Sequence, residues 1–210
     1  MNEIEILYQD KYLLVVNKPS GMLSIKGSRP EKGKSLIETL QEDFSSASIV
    51  HRLDMDTSGV MVIPLNKMTH RSISKQFQER TTAKRYEAVV YGVMSQDNGQ
   101  INESLIADKD NPPRQKVDNL NGKISKTLFE VVKRTDKFSK VSLTPVTGRS
   151  HQLRVHLLSL GYPILGDSLY SQGEAFNSAD RLQLHSCMLR FKHPISKKDI
   201  EITAEAKLII

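Results

Sequence analysis

Residues 51–60 read His-Arg-Leu-Asp-Met-Asp-Thr-Ser-Gly-Val, and so put an imidazole, a guanidinium and two carboxylates within six positions. Three chemistries fit such a cluster. His51, Asp54 and Asp56 could hold a metal, because imidazole and carboxylate suit manganese, iron or zinc. Against that, Arg52 lies inside the set, and no HxH or HxxxH pairing supplies a second imidazole nearby. Asp54 and Asp56 could instead work as an acid–base pair: on an extended chain they point to one side, with Cα atoms about 6.6 Å apart at roughly 3.3 Å per residue, near the spacing of an inverting glycosidase. Sugar hydrolases, however, usually line their clefts with stacking aromatics, and this chain has no tryptophan and 6% aromatic residues. The third chemistry uses one aspartate alone. The plain alternative to all three is a turn-capping aspartate beside a solvated arginine. It leaves unexplained why the cluster directly precedes the apolar run GVMVIPL (59–65), a place where sites are often mounted.

A second stretch, GSRPEKGKS (27–35), looks like a phosphate-binding loop, but five residues separate Gly27 from Gly33 where that motif requires four. A loop leading into a capped helix accounts for it. The single cysteine, Cys187, excludes an internal disulfide, a zinc site built on thiolates and the paired-cysteine zinc centre of a base deaminase. No apolar stretch approaches the roughly 20 residues that span a bilayer. The N-terminus MNEIEILYQDKY has no basic start before an apolar run. A cytoplasmic protein without membrane contact is expected, and the lack of heptads favours a monomer. Thirty Lys and Arg against 24 acids give a net charge of +6. The basic residues gather in folded-looking segments (80–85, 114–116, 149–154), which points to a basic groove for a polyanion.

The elements that must carry these groups can be read from periodicity. EIEILY (3–8) and YLLVVN (12–17) form a hairpin, and NKPSGM (17–22) a turn in which Gly21 can take positive φ. Ser35 and Glu38 make a capping box for a helix to about residue 43, with Leu36, Ile37 and Leu40 inward. GVMVIPL is a buried strand, and Asn66 caps a helix over about 67–80 through Thr69, Ile73 and Phe77. RYEAVVYG (85–92) is a strand, residues 107–123 a long polar loop, and TLFEVVKRT with KFSKVSLTPV another hairpin. A helix follows in TGRSHQLRVHLLSLGYP, capped by Ser150 and ended by Gly161, with Leu153, Leu157 and Leu160 buried and Arg154 beside them. RLQLHSCMLRF (181–191) and DIEITA (199–204) are the last strands. The class is α+β: a mixed, largely antiparallel central sheet flanked by helices, with no repeat or linker to divide residues 1–210.

Taken in order, these segments resemble one family. HRLDMDTSG is similar to the HRLDxxTSG signature of the RluA-type pseudouridine synthases, and NKPSGM to their opening NKPxG turn. KRYEAVVYG resembles their second motif, TGRSHQLRVHLLSLGYPILGDSLY their third, and LQLHSCML the segment after it. The resemblance runs through nearly the whole chain and is to the small members that begin directly with the catalytic domain, without an N-terminal RNA-binding domain of the S4 type.

The resemblance implies a single catalytic domain over 1–210 with an active-site cleft across its sheet. It also implies conversion of uridine in RNA to pseudouridine: the base leaves C1′ through N1, turns, and rejoins through C5. That change is redox-neutral and requires no organic cofactor and no metal. The target must be flipped out of its stack and the phosphates gripped by Arg and Lys. By resemblance Asp54 is the catalytic carboxylate, a nucleophile at C1′ or a base toward the sugar, and Arg154 the arginine that pairs with it. Tyr86 is the active-site tyrosine, stacking on uracil and assisting removal of the C5 proton. Arg52 helps fill the gap left by the flipped base, and Leu184 is an apolar pocket wall. Asp56 has no inherited role, because the signature leaves positions 55 and 56 free. The implied substrates are a stem-loop of large-subunit ribosomal RNA and a transfer-RNA anticodon stem-loop, with Lys109, Arg114 and Lys116 of the long loop as RNA contacts. A silent RNA-binding module on the same scaffold would not need Asp54, Tyr86 and Arg154 together, and a glycosidase or nucleosidase would release free base.

Overall fold

The computed structural model describes residues 4–26 and 33–210. Most of the phosphate-loop look-alike therefore lies outside the described residues. The chain divides into two compact units, one of Met1–Lys84 with His185–Ala206, the other of Arg85–Leu184 with Lys207–Ile210.

In the first unit, strands β1 (Glu5–Gln9) and β2 (Leu13–Lys18) form the expected hairpin. Its turn closes because the Asp10 carboxylate accepts the backbone N–H groups of Tyr12 and Leu13 at 2.7 and 2.9 Å. Helix α1 (Leu36–Asp43) begins in a complete capping box, with Ser35 and Glu38 each accepting the other's backbone N–H, a device worth about 1 kcal/mol. Leu36 and Leu40 are buried as expected, while Ile37 is only partly covered. Strand β3 (Ser58–Pro64) is buried at every position. Alternation therefore gives no sign of it in the sequence; a continuous apolar run does. Helix α2 (Lys67–Gln78) starts at Asn66, whose side chain accepts the Thr69 N–H at 2.9 Å. Its Ile73 joins Leu13, Val15, Val60, Val62, Leu189 and Phe191 in one apolar cluster.

Strand β4 (Ala83–Tyr91) leads into the second unit. There follow β5 (Asn98–Ile101), β6 (Leu105–Ala107), β7 (Gln115–Val117), β8 (Thr127–Arg134) and β9 (Phe138–Pro145), then α3 (Gln152–Ser159) and the short α4 (Gly173–Asn177). Strands β4, β9, β8 and β5 lie side by side, each pair antiparallel. The polar segment 107–123 is not all loop: β7 pairs antiparallel with β6, Leu105 opposite Val117. Strands of three residues are too short to show a period, which is why the sequence reads as loop there. Ala88, Val90, Phe129, Val141, Leu143, Leu153, Leu157 and Leu184 are among the residues of the core of this unit.

Strand β10 (Leu184–Lys192) completes the first unit with β11 (Asp199–Thr203). In that unit β2 is antiparallel to β1 and β3, β10 is antiparallel to β11, and β3 with β10 is the parallel pair. The strands are thus mixed and mostly antiparallel, with helices packed on them, the α+β class expected.

The parallel pair explains one glycine. At Gly59, opposite Ser186, φ is +122°, and an added Cβ would stand 2.3 Å from the Ser186 carbonyl oxygen. Gly59→Ala is expected to destabilise the protein by at least about 2 kcal/mol. Gly21→Ala, at φ +81° with open space around it, should cost only about 1 kcal/mol. Urea unfolding of the two variants checks the order; equal midpoints would contradict the close approach.

Candidate functional site

The segment between His51 and Ser58 is a turn, not a strand: it bends at residues 55–56, and the Thr57 N–H donates to the Asp54 carbonyl at 3.2 Å. The extended backbone that would set Asp54 and Asp56 side by side is absent, which removes the geometric premise of a carboxylate pair. What shapes the turn is the NKPSGMLS segment. Ser24 Oγ donates to the Leu53 carbonyl (2.7 Å) and accepts the Leu53 N–H (3.2 Å). The Gly21 N–H donates to the Met55 carbonyl at 3.0 Å, and Ser20 Oγ to the Asp56 carbonyl at 2.7 Å. Each carbonyl from Leu53 to Asp56 thus has a donor.

Lys18 lies beneath this arrangement and is wholly buried. Its Nζ donates to the carbonyls of Pro19 (2.9 Å), Met22 (2.8 Å) and Met55 (2.9 Å). Three acceptors match the three N–H bonds of an ammonium group; a neutral amine has only two. Burial pulls the Lys18 pKa down to about 8, against the pull of the Asp56 and Asp54 carboxylates, which raise it. The group therefore remains charged at neutral pH and ties the 18–24 turn to the aspartate turn.

The other members of the opening cluster take different places. His51 Nε2 accepts the Val62 N–H at 3.1 Å, and the ring stacks on Phe77 with centroids 4.4 Å apart. Burial, with the Lys84 ammonium near, pushes its pKa down to about 3, so the imidazole is neutral and its acceptor nitrogen is occupied by the backbone. It works as a support under the loop. Arg52 is exposed. Ser58 Oγ and His185 Nδ1 stand 2.8 Å apart, both buried, which joins the TSG end of the first motif to the LHS of the last.

In the second unit, Tyr86 is half-buried on β4 opposite Leu143, packed against the cluster that contains Leu184, Leu153 and Leu157. Tyr86 and Leu184 thus share one apolar wall with helix α3. That helix departs from expectation in three respects. It is capped not by Ser150 but by His151 at φ 54°, without a side-chain cap bond; the Gln152 side chain reaches back instead, its Oε1 accepting from the Arg149 N–H (3.0 Å) and Thr147 Oγ1 (2.7 Å). Leu160 is exposed, because the helix ends before it. Every residue from Gln152 to Leu157 is buried, Arg154 among them at 2% exposure. A helix covered all round has no solvent face to which an arginine could default.

Arg154 carries its own counter-ion. Nε donates to Asp167 Oδ2 at 2.7 Å and Nη2 to Asp167 Oδ1 at 2.5 Å, with the carboxylate wholly buried. Asp167 and Lys18 are the groups that the sequence reading quoted within motifs but gave no role. Their signal was there, in NKPSG and ILGDSLY, but charged residues default to the surface unless a partner is known. A shallow groove along β5 and β8, lined by Asn98, Gly99, Gln100, Leu128, Phe129 and Glu130, contains none of the motif residues.

Among the described residues no helix is long and apolar enough to cross a membrane. A family profile described as RNA pseudouridylate synthase matches residues 12–159. The dual-specificity RNA pseudouridine synthase RluA of Yersinia pestis is 48% identical over 203 residues, covering 96% of this chain and 98% of the relative. Its Haemophilus influenzae counterpart is 45% identical over 204 residues, covering 97% and 93%. Among solved structures, human RNA pseudouridylate synthase domain containing 1 superposes with a TM-score of 0.82 at 29% identity, over 97% of this chain and 83% of that one.

Lys18→Met should lower stability by roughly 3 kcal/mol, because it strands buried carbonyls, and should loosen the 53–57 turn. An NMR titration of the Lys18 side chain should find its midpoint near 8 and lower in Asp56→Asn, which removes the larger carboxylate attraction. The folded value lies below that of an exposed lysine, so the unfolded chain holds the extra proton between pH 8 and about 10.5. Across that window the stability contributed by this group rises with pH. An Asp56→Asn midpoint at or above the wild-type one would contradict the assignment.

Proposed function

This chain belongs to the RNA pseudouridylate synthase family and is an isomerase that forms pseudouridine in RNA, and from that premise we propose Asp54 as its catalytic residue and Arg52, Tyr86, Arg154 and Leu184 as its substrate-binding residues. The observation that carries the proposal is the turn of residues 53–57, whose carbonyls at 53, 55 and 56 are held from the 18–24 segment while the carbonyl of Asp54 itself accepts the Thr57 N–H. An aspartate on so fixed a backbone meets the sugar without first losing conformational freedom. Asp56, on the same turn, has no part in the resemblance.

The reaction sets definite demands. The glycosidic C1′–N1 bond breaks with its electron pair leaving on the uracil, and a C1′–C5 bond forms after the base turns; C5 then gives up its proton and N1 takes one up, so that the product is an isomer of the substrate. Asp54 works at the sugar as an anion, adding to C1′ or taking a proton from the ribose; both routes start from the carboxylate. The half-buried Tyr86 offers a ring face to uracil and a phenol for the C5 proton. Leu184 supplies an apolar surface to a base that has left its stack. Exposed Arg52 is suited to the space the flipped base vacates, and Arg154 is the buried cation of the site.

The proposed substrates are a stem-loop of large-subunit ribosomal RNA and the anticodon stem-loop of transfer RNA, supported by a resemblance that extends through the chain and by relatives named for dual specificity. Both units act as one catalytic domain over residues 1–210, as a monomer in the cytoplasm. Lys109 and Arg114 in the loop of the β6–β7 hairpin, and Lys116 on β7, contact phosphate.

Asp54→Asn is expected to lower the rate of pseudouridine formation on the order of 10^4-fold or more, while Asp56→Asn keeps most of it. Mass spectrometry of synthetic stem-loops of both RNA types reads the product. Comparable losses in the two variants would restore the paired-carboxylate chemistry, and free uracil in place of pseudouridine would identify a glycosidase.

A further inference from the structure

The third motif ends in GDSLY (166–170), and the geometry points to Asp167 and Tyr170 as the positioning residues of the reaction, which set the guanidinium of Arg154 in its working orientation. The inference rests on the reading that Arg154 serves the site.

Asp167 has two tasks at once. Its two oxygens take Nε and Nη2 of Arg154 at 2.7 and 2.5 Å, two of the five N–H donors of the guanidinium, in parallel. That fork fixes the plane of the cation as well as its place. Oδ1 also accepts the backbone N–H groups of Leu169 (2.9 Å) and Tyr170 (3.1 Å), so the same carboxylate folds the turn that delivers Tyr170. The tyrosine ring then stands with its centroid 5.1 Å from Arg154 Cζ, within cation–π range. The carboxylate therefore constrains the arginine along one edge and the ring constrains it from a face.

The phenol of Tyr170 is itself anchored. It accepts the Gln115 N–H at 2.7 Å and stands 2.7 Å from His151 Nδ1, at the start of α3. Gln115 opens β7, directly after Arg114 and before Lys116 on the same strand. The mount of Arg154 is thus braced against both the helix that carries the arginine and the basic hairpin.

A merely structural pair would also be buried and bonded, so the test must separate support of the fold from action through Arg154. Single-turnover rates and KM for a stem-loop RNA are measured for Asp167→Asn and Tyr170→Leu, each alone and with Arg154→Lys, which keeps the charge but loses the fork. Expected are a fall in kcat of about 100-fold for Asp167→Asn and a smaller fall for Tyr170→Leu, with KM little changed. Tyr170→Phe, which keeps the ring, should retain most of the rate. In the Arg154→Lys background both losses should nearly vanish, as coupled residues require. Should Asp167→Asn fail to fold, the Tyr170 variants carry the test. Full multiplicative losses in the Arg154→Lys background, or wild-type kcat in Tyr170→Leu, overturn the positioning role while leaving Arg154 in place. A wild-type rate for Arg154→Lys alone overturns both readings.

Discussion

One ammonium group, that of Lys18, bears on more of this protein than any other single contact described. It is wholly buried and held by the carbonyls of Pro19, Met22 and Met55. Removing a charge from water is costly, and that cost is tolerable here because every proton of the group has an acceptor and two carboxylates lie near enough to raise its pKa. The consequence reaches in two directions. Toward β2 it terminates a strand whose preceding residues 13–16 are all buried, and toward the loop it decides where the chain must pass before entering β3. Ser20, Gly21 and Ser24 then complete the grip that the lysine begins.

Much of the first unit was legible because its signals are local. A capping box, an asparagine cap and a continuous apolar strand each declare themselves within a few residues, and each is found where the sequence puts it. The candidate site rests on the resemblance, which picks out Arg52, Asp54, Tyr86, Arg154 and Leu184, and the structure adds the burial of Arg154 and Leu184 and the backbone bonds of the Asp54 turn. What stayed hidden depends on distant partners. Nothing beside Arg154 in the chain announces that Asp167, 13 residues on, neutralises it, and Lys18 meets Met55 only across 37 positions. Ser150 looked like the cap of α3 because serine commonly caps helices. The true solution puts His151 in the left-handed region and uses the Gln152 side chain instead.

Helix α3 shows the price of placing a cation inside a protein. Gln152, Arg154 and His156 are all buried, and all are satisfied by specific partners. Gln152 reaches Thr127 and the Lys126 carbonyl as well as residues 147 and 149. His156 meets Thr127 Oγ1 and the Glu103 carbonyl, both at 2.9 Å, and burial holds its pKa down. These polar residues act as a frame that joins β8, the approach to β6 and the turn before the helix. A buried network completed in this way fixes one arrangement, whereas a partly completed one would be worse than an apolar core. Arg154 is in this sense held by an entire helix and not by Asp167 alone.

The grip on residues 53–56 is made through peptide carbonyls, and this decides what a substitution there would disturb. Folding holds these positions by their main chain, which all amino acids share, while the Asp56 carboxylate also supports the buried charge of Lys18. A new side chain at either wild-card place of the signature would thus leave the peptide contacts as they are, and a change at 56 would be felt mainly through the ammonium beneath it.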